Sequence, residues 1–72
     1  MQGLIAPQAA FNFANLHGAR MKDAQLPGAQ MRDANLQSAI VLDANLRGAN
    51  LRGARLFEAL LSGADLTGAE CR

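Results

Sequence analysis

The chain has 72 residues, half of them apolar, with seven Lys or Arg against six Asp or Glu and a formal net charge of +1. That balance provides no electrostatic drive toward nucleic acid, an anionic membrane or a basic partner, and the length restricts the chain to one small domain with a marginal core. With no Trp or Tyr and a single cysteine, the core must be built from thin layers of Ala and Leu, no internal disulfide can form, and a reduced compartment is the simpler setting.

In chain order, the first eight residues stand out of phase with the rest of the chain. Leu4 and Ile5 are apolar and Pro7 cannot donate a ladder hydrogen bond. Residues 1–8 are therefore expected to cap the first layer of the fold, with Phe13 packing on Leu4 or Ile5. The segment has neither a basic stretch nor a long apolar run, which argues against a signal peptide. The longest apolar run in the chain, Ala39 to Leu42, falls far short of the about 20 residues that cross a bilayer. A cytoplasmic location without membrane contact is the expectation.

From Ala9 to Ala69 every fifth residue is alanine, and two places after each stands an apolar residue, from Phe11 and Leu16 to Leu66 and Cys71. On an α-helix, at about 100° per residue, five steps displace successive leucines by about 140° and scatter them round the cylinder. On one long strand the odd period points them to opposite faces in turn. A chain that turns once per five residues buries them all. In each block the alanine and the apolar residue then face inward. The residue between them and the one after point outward, and the fifth, most often Gly, Asp or Ser, forms a corner. Repetition in phase over nearly the whole chain is the mark of a solenoid.

Blocks such as Ala14-Asn15-Leu16-His17-Gly18, Ala44-Asn45-Leu46-Arg47-Gly48 and Ala64-Asp65-Leu66-Thr67-Gly68 resemble the pentapeptide-repeat family, whose consensus is Ala-(Asp/Asn)-Leu and two variable places. The resemblance covers about thirteen repeats in residues 9–72. It implies an all-β fold, a right-handed quadrilateral β-helix with four pentapeptides per coil. The residues supply a separate check on the number of sides. At a spacing of twenty, Arg32, Arg52 and Arg72 match, as do Gly28, Gly48 and Gly68, and Leu26, Leu46 and Leu66. A spacing of fifteen pairs Gln25 with Ile40 and Arg55. Four sides are favoured, giving a little over three coils and, at about 4.8 Å per coil, a prism roughly 15 Å tall.

Outward places up to residue 38 carry an ordinary solvated surface, including the lone His17, which has no second metal ligand in its column. From residue 39 the surface changes. Ile40, Leu42, Phe57 and Leu60 occupy outward places and converge on one side, an expected interaction surface. The last coil would leave Leu56, Leu61, Leu66 and Cys71 as an uncovered apolar floor. The expectation is that a second copy, another protein or further sequence covers it, and relatives that dimerise through a C-terminal coil make the first credible by resemblance. A two-fold contact closes, whereas head-to-tail stacking grows.

Signs of chemistry are weak. Asp23 and Asp43 stack at about the spacing of paired catalytic carboxylates but sit on a convex corner with no groove. Cys71 lacks a His partner and falls on an inward place. Neither a catalytic, a cofactor nor a metal site is expected, and no small-molecule substrate. The column Arg32, Arg52 and Arg72 could meet phosphates, yet Asp33 and Glu70 flank it and no basic or aromatic column adjoins it. A nucleic-acid partner is not expected. The leading expectation is a non-catalytic protein-interaction module, self-associating through Ile40, Leu42, Phe57 and Leu60 and through the last coil. The resemblance also raises a mimic of DNA that binds a bacterial type II topoisomerase, which the net charge of +1 and short length oppose. A module of a longer repeat protein is the third possibility.

Overall fold

The computed structural model describes residues 2–71. Each block ends in a tight turn, which the N–H of the next alanine closes by donating to the C=O of the central apolar residue, as from Ala29 to Leu26 and from Ala49 to Leu46, both at 3.1 Å. The residue before that alanine has positive φ, for example 70° at Gly28 and 68° at Gly48. A turn that is left-handed only at its third place is type II, and glycine suits it because it has no Cβ to clash. Gln8, Phe13, Ser38 and Glu58 adopt the same conformation, as do Asp23, Asp33 and Asp43, so the repeat and not the residue dictates the corner.

Between turns, one residue per side pairs in parallel with the residue twenty further on: Ile5 with Gln25, Gln25 with Asn45, Asn45 with Asp65, and likewise round the other sides. Residues 4–23, 24–43 and 44–63 thus make three coils, and 64–71 begins the next. Three backbone donors per block enter this ladder or its continuation. Leu26 donates to Asn45 at 2.8 Å, Gly28 to Arg47 at 2.7 Å, and Gln25 back to Leu4 at 2.6 Å. The alanine N–H closes the turn, which in the middle coil, residues 24–43, leaves only the N–H after the central residue outside the network. The extents of 22 × 21 × 17 Å make the unique, short axis the stacking direction, close to the expected height.

Inward places form the core. Met21, Leu26, Met31, Leu36, Val41, Leu46 and Leu51 are buried together with Ala24, Ala29, Ala34, Ala39, Ala44 and Ala49. Each large residue lies beside an alanine two places before it, because alternate residues of an extended segment share a side. Leu4, Phe11 and Leu16 at one end and Leu56, Leu61 and Leu66 at the other are half-buried against this centre.

The expected cap over the first coil does not form. Gly3 donates to Lys22, Ala6 to Gln25 and Gln8 to Pro27, so Gly3 forms the corner that leads into the first coil and residues 4–8 are already part of it. The block Leu4-Ile5-Ala6 exchanges the usual Ala and Leu, with both residues facing inward, which conserves their summed volume. Pro7 fits because its place is the one whose N–H the ladder does not use. Phe13 does not cover Leu4 or Ile5: it is 73% exposed and Ile5 76%.

Candidate interaction surface

The four walls differ in their outward residues. The first wall carries Ile5, Gln25, Asn45 and Asp65; the second Ala10, Gln30, Asn50 and Glu70; the third Asn15, Asn35 and Arg55; the fourth Arg20, Ile40 and Leu60. The N–H left over by the ladder needs an acceptor, and an Asn or Asp two residues earlier reaches it. Asn15 accepts from His17 at 3.2 Å, Asn35 from Gln37 at 3.0 Å, Asn45 from Arg47 at 3.1 Å, Asn50 from Arg52 at 3.1 Å and Asp65 from Thr67 at 3.0 Å. Where Gln30 is too long for this bond, Asn12 of the coil above accepts from Arg32 at 2.9 Å. Where Pro7 and Pro27 have no N–H, the residues two places before them are Ile5 and Gln25, and nothing goes uncapped. These outward Asn and Asp residues are structural parts that a reading of them as plain solvated surface misses. The signal in the sequence is the recurring Asn or Asp directly after the alanine.

The fourth wall abandons this device. Arg20, Ile40 and Leu60 cannot accept from Lys22, Leu42 and Ser62, and Arg55 cannot accept from Phe57. In that space stands apolar surface. Ile40 and Leu60 pair across coils, Leu42 lies two places along from Ile40, and Phe57 stands just across the Glu58 corner. Phe57 is 70% exposed and Leu60 52%; Ile40 and Leu42 are half-buried. Leu61 and Leu66 line the interior instead. Cys71 has an inward place in sequence but is exposed.

Charges are arranged around this patch unevenly. Arg32 pairs with Asp33 at 3.7 Å, Arg47 with Asp65 at 3.7 Å and Arg52 with Glu70 at 2.7 Å. The basic column of Arg32 and Arg52 is thereby compensated, and Arg72 lies outside the described residues. Among the described residues Arg20, Lys22 and Arg55 have no ion-pair partner, nor have Asp23, Asp43 and Glu58, and all six border the apolar patch. The Thr67 hydroxyl, donating to Asp65 at 2.6 Å, and then the Thr67 N–H hold the Asp65 carboxyl below its ordinary value of 3.8, with Arg47 assisting. Asp33 and Asp43 lean over Gly53 and Gly63, where an added Cβ would collide with their carboxylates. Among the described residues the surface has no cavity and no group of three potential metal ligands.

A family profile described as pentapeptide repeats matches residues 2–33 and 44–72. Among solved structures, the chain is similar to the pentapeptide repeat protein Rfr23 of the cyanobacterium Cyanothece 51142, with 35% identity and a TM-score of 0.91. It is similar to HetL of Nostoc sp. strain PCC 7120, a pentapeptide repeat protein involved in heterocyst differentiation regulation, with 34% identity and a TM-score of 0.90. A third is the Arabidopsis thaliana thylakoid-lumen pentapeptide repeat protein AT2G44920, with 31% identity and a TM-score of 0.92. Each comparison covers 94% of this chain but 47%, 32% and 47% of the other, so the chain spans about half of these proteins or less. No match was found among curated proteins. The coil is thus a right-handed quadrilateral β-helix.

Proposed function

Because the chain belongs to the pentapeptide-repeat family, whose fold is generally a non-catalytic structural repeat used for protein interaction, we propose that it is a protein-binding module whose contact surface is the fourth wall with the Phe57 corner. The observation that carries this reading is the replacement of the capping ladder by Ile40, Leu42, Leu60 and Phe57. Ile40 and Leu60 stand where an acceptor would cap the N–H of Leu42 and Ser62, and Phe57 and Leu60 are left in water, a combination that costs the chain more than the cross-coil contact of Ile40 with Leu60 returns. The family profile leaves residues 34–43 unmatched, the stretch in which the outward places turn apolar. Leu61, Leu66 and Cys71 do not carry the reading, since any coil stacked beyond them covers them. Duplex mimicry finds no support in the surface, where unpaired cations stand on the fourth wall and the net charge is +1.

Site-specific photo-crosslinking in the cells that make the protein tests this. A photoreactive residue at position 60 should capture protein, and one at position 50, on the second wall, should capture far less. Leu60→Asp should remove the partner found by the first probe while the circular dichroism spectrum stays unchanged. Equal capture from the two walls would overturn the reading.

A further inference from the structure

We propose that the partner on the fourth wall is a second copy of this chain, docked wall to wall and turned end for end about a two-fold axis. The axis lies in the contact plane at the level of Ile40 and Leu42. This rests on the interaction reading above and adds the identity of the partner and its orientation.

The wall is a small grid. One column reads Arg20, Ile40, Leu60 down the three coils; the other reads Lys22, Leu42, Ser62; the corner beside the first reads Gly18, Ser38, Glu58. The corner beside the second reads Asp23, Asp43, Gly63. Apolar residues fill the middle; among the described residues Arg20, Lys22 and Asp23 at the first coil, and Glu58 with Arg55 on the adjoining wall at the third, have no ion-pair partner. Among the closed two-fold arrangements that place this grid against its own copy, two keep the coils of both copies parallel. With the axis parallel to the stack, coil faces like coil, and Arg20 of one copy meets Lys22 of the other, an unfavourable contact. With the axis across the stack, the first coil faces the third. Ile40 then meets Ile40 and Leu42 meets Leu42 at the centre. Leu60 lies under the stem of Arg20, and the Arg20 head comes beside Glu58 of the second copy, twice by symmetry. Glu58 lies opposite Gly18, where a corner without a side chain leaves room. Asp43, which approaches its own copy near the axis, is flanked by Lys22 of the second copy.

The contact is small. A wall of a prism 17 Å tall gives a total buried area well under the about 1,200 Å² at which stable interfaces begin. The dimer is therefore weak, populated near millimolar concentration and sensitive to salt, because exposed charge pairs are screened.

Sedimentation equilibrium up to about 1 mM, under reducing conditions so that Cys71 stays a thiol, tests the proposal. The wild type should dimerise. Arg20→Glu and Glu58→Arg, each alone, should weaken the dimer at least about tenfold, and the two together should restore it to within about threefold, since the swapped pair is again complementary. Dimerisation that responds to Leu60→Asp but ignores both charge reversals would overturn the end-for-end arrangement and leave the wall as an interaction surface. A wild type that stays monomeric at the highest concentration would overturn self-association altogether. The crosslinked partner from position 60 would then decide the broader reading on its own.

Discussion

Glycine corners in this coil look alike in sequence, yet the structure separates them. At Gly48 an added Cβ would meet nothing within 4 Å, whereas at Gly53 it would strike the Asp33 carboxylate, with Cγ at 3.2 Å. Both have left-handed φ, 68° and 70°, so alanine costs each a similar backbone term, roughly 1–2 kcal/mol. At Gly53 the Asp33 side chain must also leave its position. It then forfeits its exposed pair with Arg32, worth about 0–1 kcal/mol, and enters a poorer rotamer at about 0.5–1.5 kcal/mol. Gly53→Ala is therefore expected to cost about 0.5–2.5 kcal/mol more than Gly48→Ala. For a domain of this size each kcal/mol moves Tm by about 4–8 °C, so circular dichroism melts should place Gly53→Ala at least about 2 °C below Gly48→Ala. In an Asp33→Ala background the difference should vanish. Equal melting of the two glycine variants, or a gap that survives in the Asp33→Ala background, would refute the reasoning.

Asn45→Ala removes the acceptor for the Arg47 N–H and should cost about 0.5–1.5 kcal/mol with faster hydrogen exchange at Arg47. Gln25→Ala in the coil above, where Pro27 offers no N–H, should cost much less. Asp65 has a folded pKa below its unfolded value, so its stabilising effect is fully present above pH 3.8 and is lost as pH falls through the lowered folded value. Thr67→Val, which removes the hydroxyl donor, should bring the Asp65 carboxyl back toward 3.8 in an NMR titration. Leu36, only 2% exposed, sits between Leu16 and Leu56 in its column, and Leu36→Ala should cost about 2–5 kcal/mol in denaturant unfolding. Leu56→Ala, at a half-buried place, should cost clearly less.

The coil is legible in the sequence because its cause is periodic. An odd period of five rules out both regular elements, and matches at twenty select four sides, which the pairing of Asn15 with Asn35 and of Ile40 with Leu60 bears out. Phase taken from alanine misreads the first block, because Leu4 and Ala6 have traded places. What the core senses is the summed volume of the two inward residues, which the exchange leaves intact. Phe13 misleads for a related reason. A bulky residue at a left-handed corner looks anomalous in sequence, but the turn imposes φ of 63° there whatever the side chain, and the ring is left in solvent. The roles of Asn15, Asn35 and Asn45 are hidden in plain composition. A polar residue at an outward place seems to need no explanation until the backbone donors are counted and one per block is found unpaired.

That accounting also bears on the fourth wall. On the other walls, Asn or Asp caps the free N–H at most turns, or proline removes it; the fourth wall does neither at Lys22, Leu42 or Ser62. Local rules broken together at one place point to a function that the fold tolerates at some cost in stability. Restoring the rule separates the two demands. Ile40→Asn with Leu60→Asn would supply acceptors for the N–H groups of Leu42 and Ser62, each worth about 0.5–1.5 kcal/mol. Against this stands the lost cross-coil contact of Ile40 with Leu60, about 0.2–1 kcal/mol. The double variant should melt no lower than the wild type while its association through the wall falls at least about tenfold. If Ile40 and Leu60 were there to hold the coil together, the same variant would instead melt several degrees lower. Stability and binding therefore move apart under one hypothesis and together under the other, and a melting curve beside a binding curve distinguishes them.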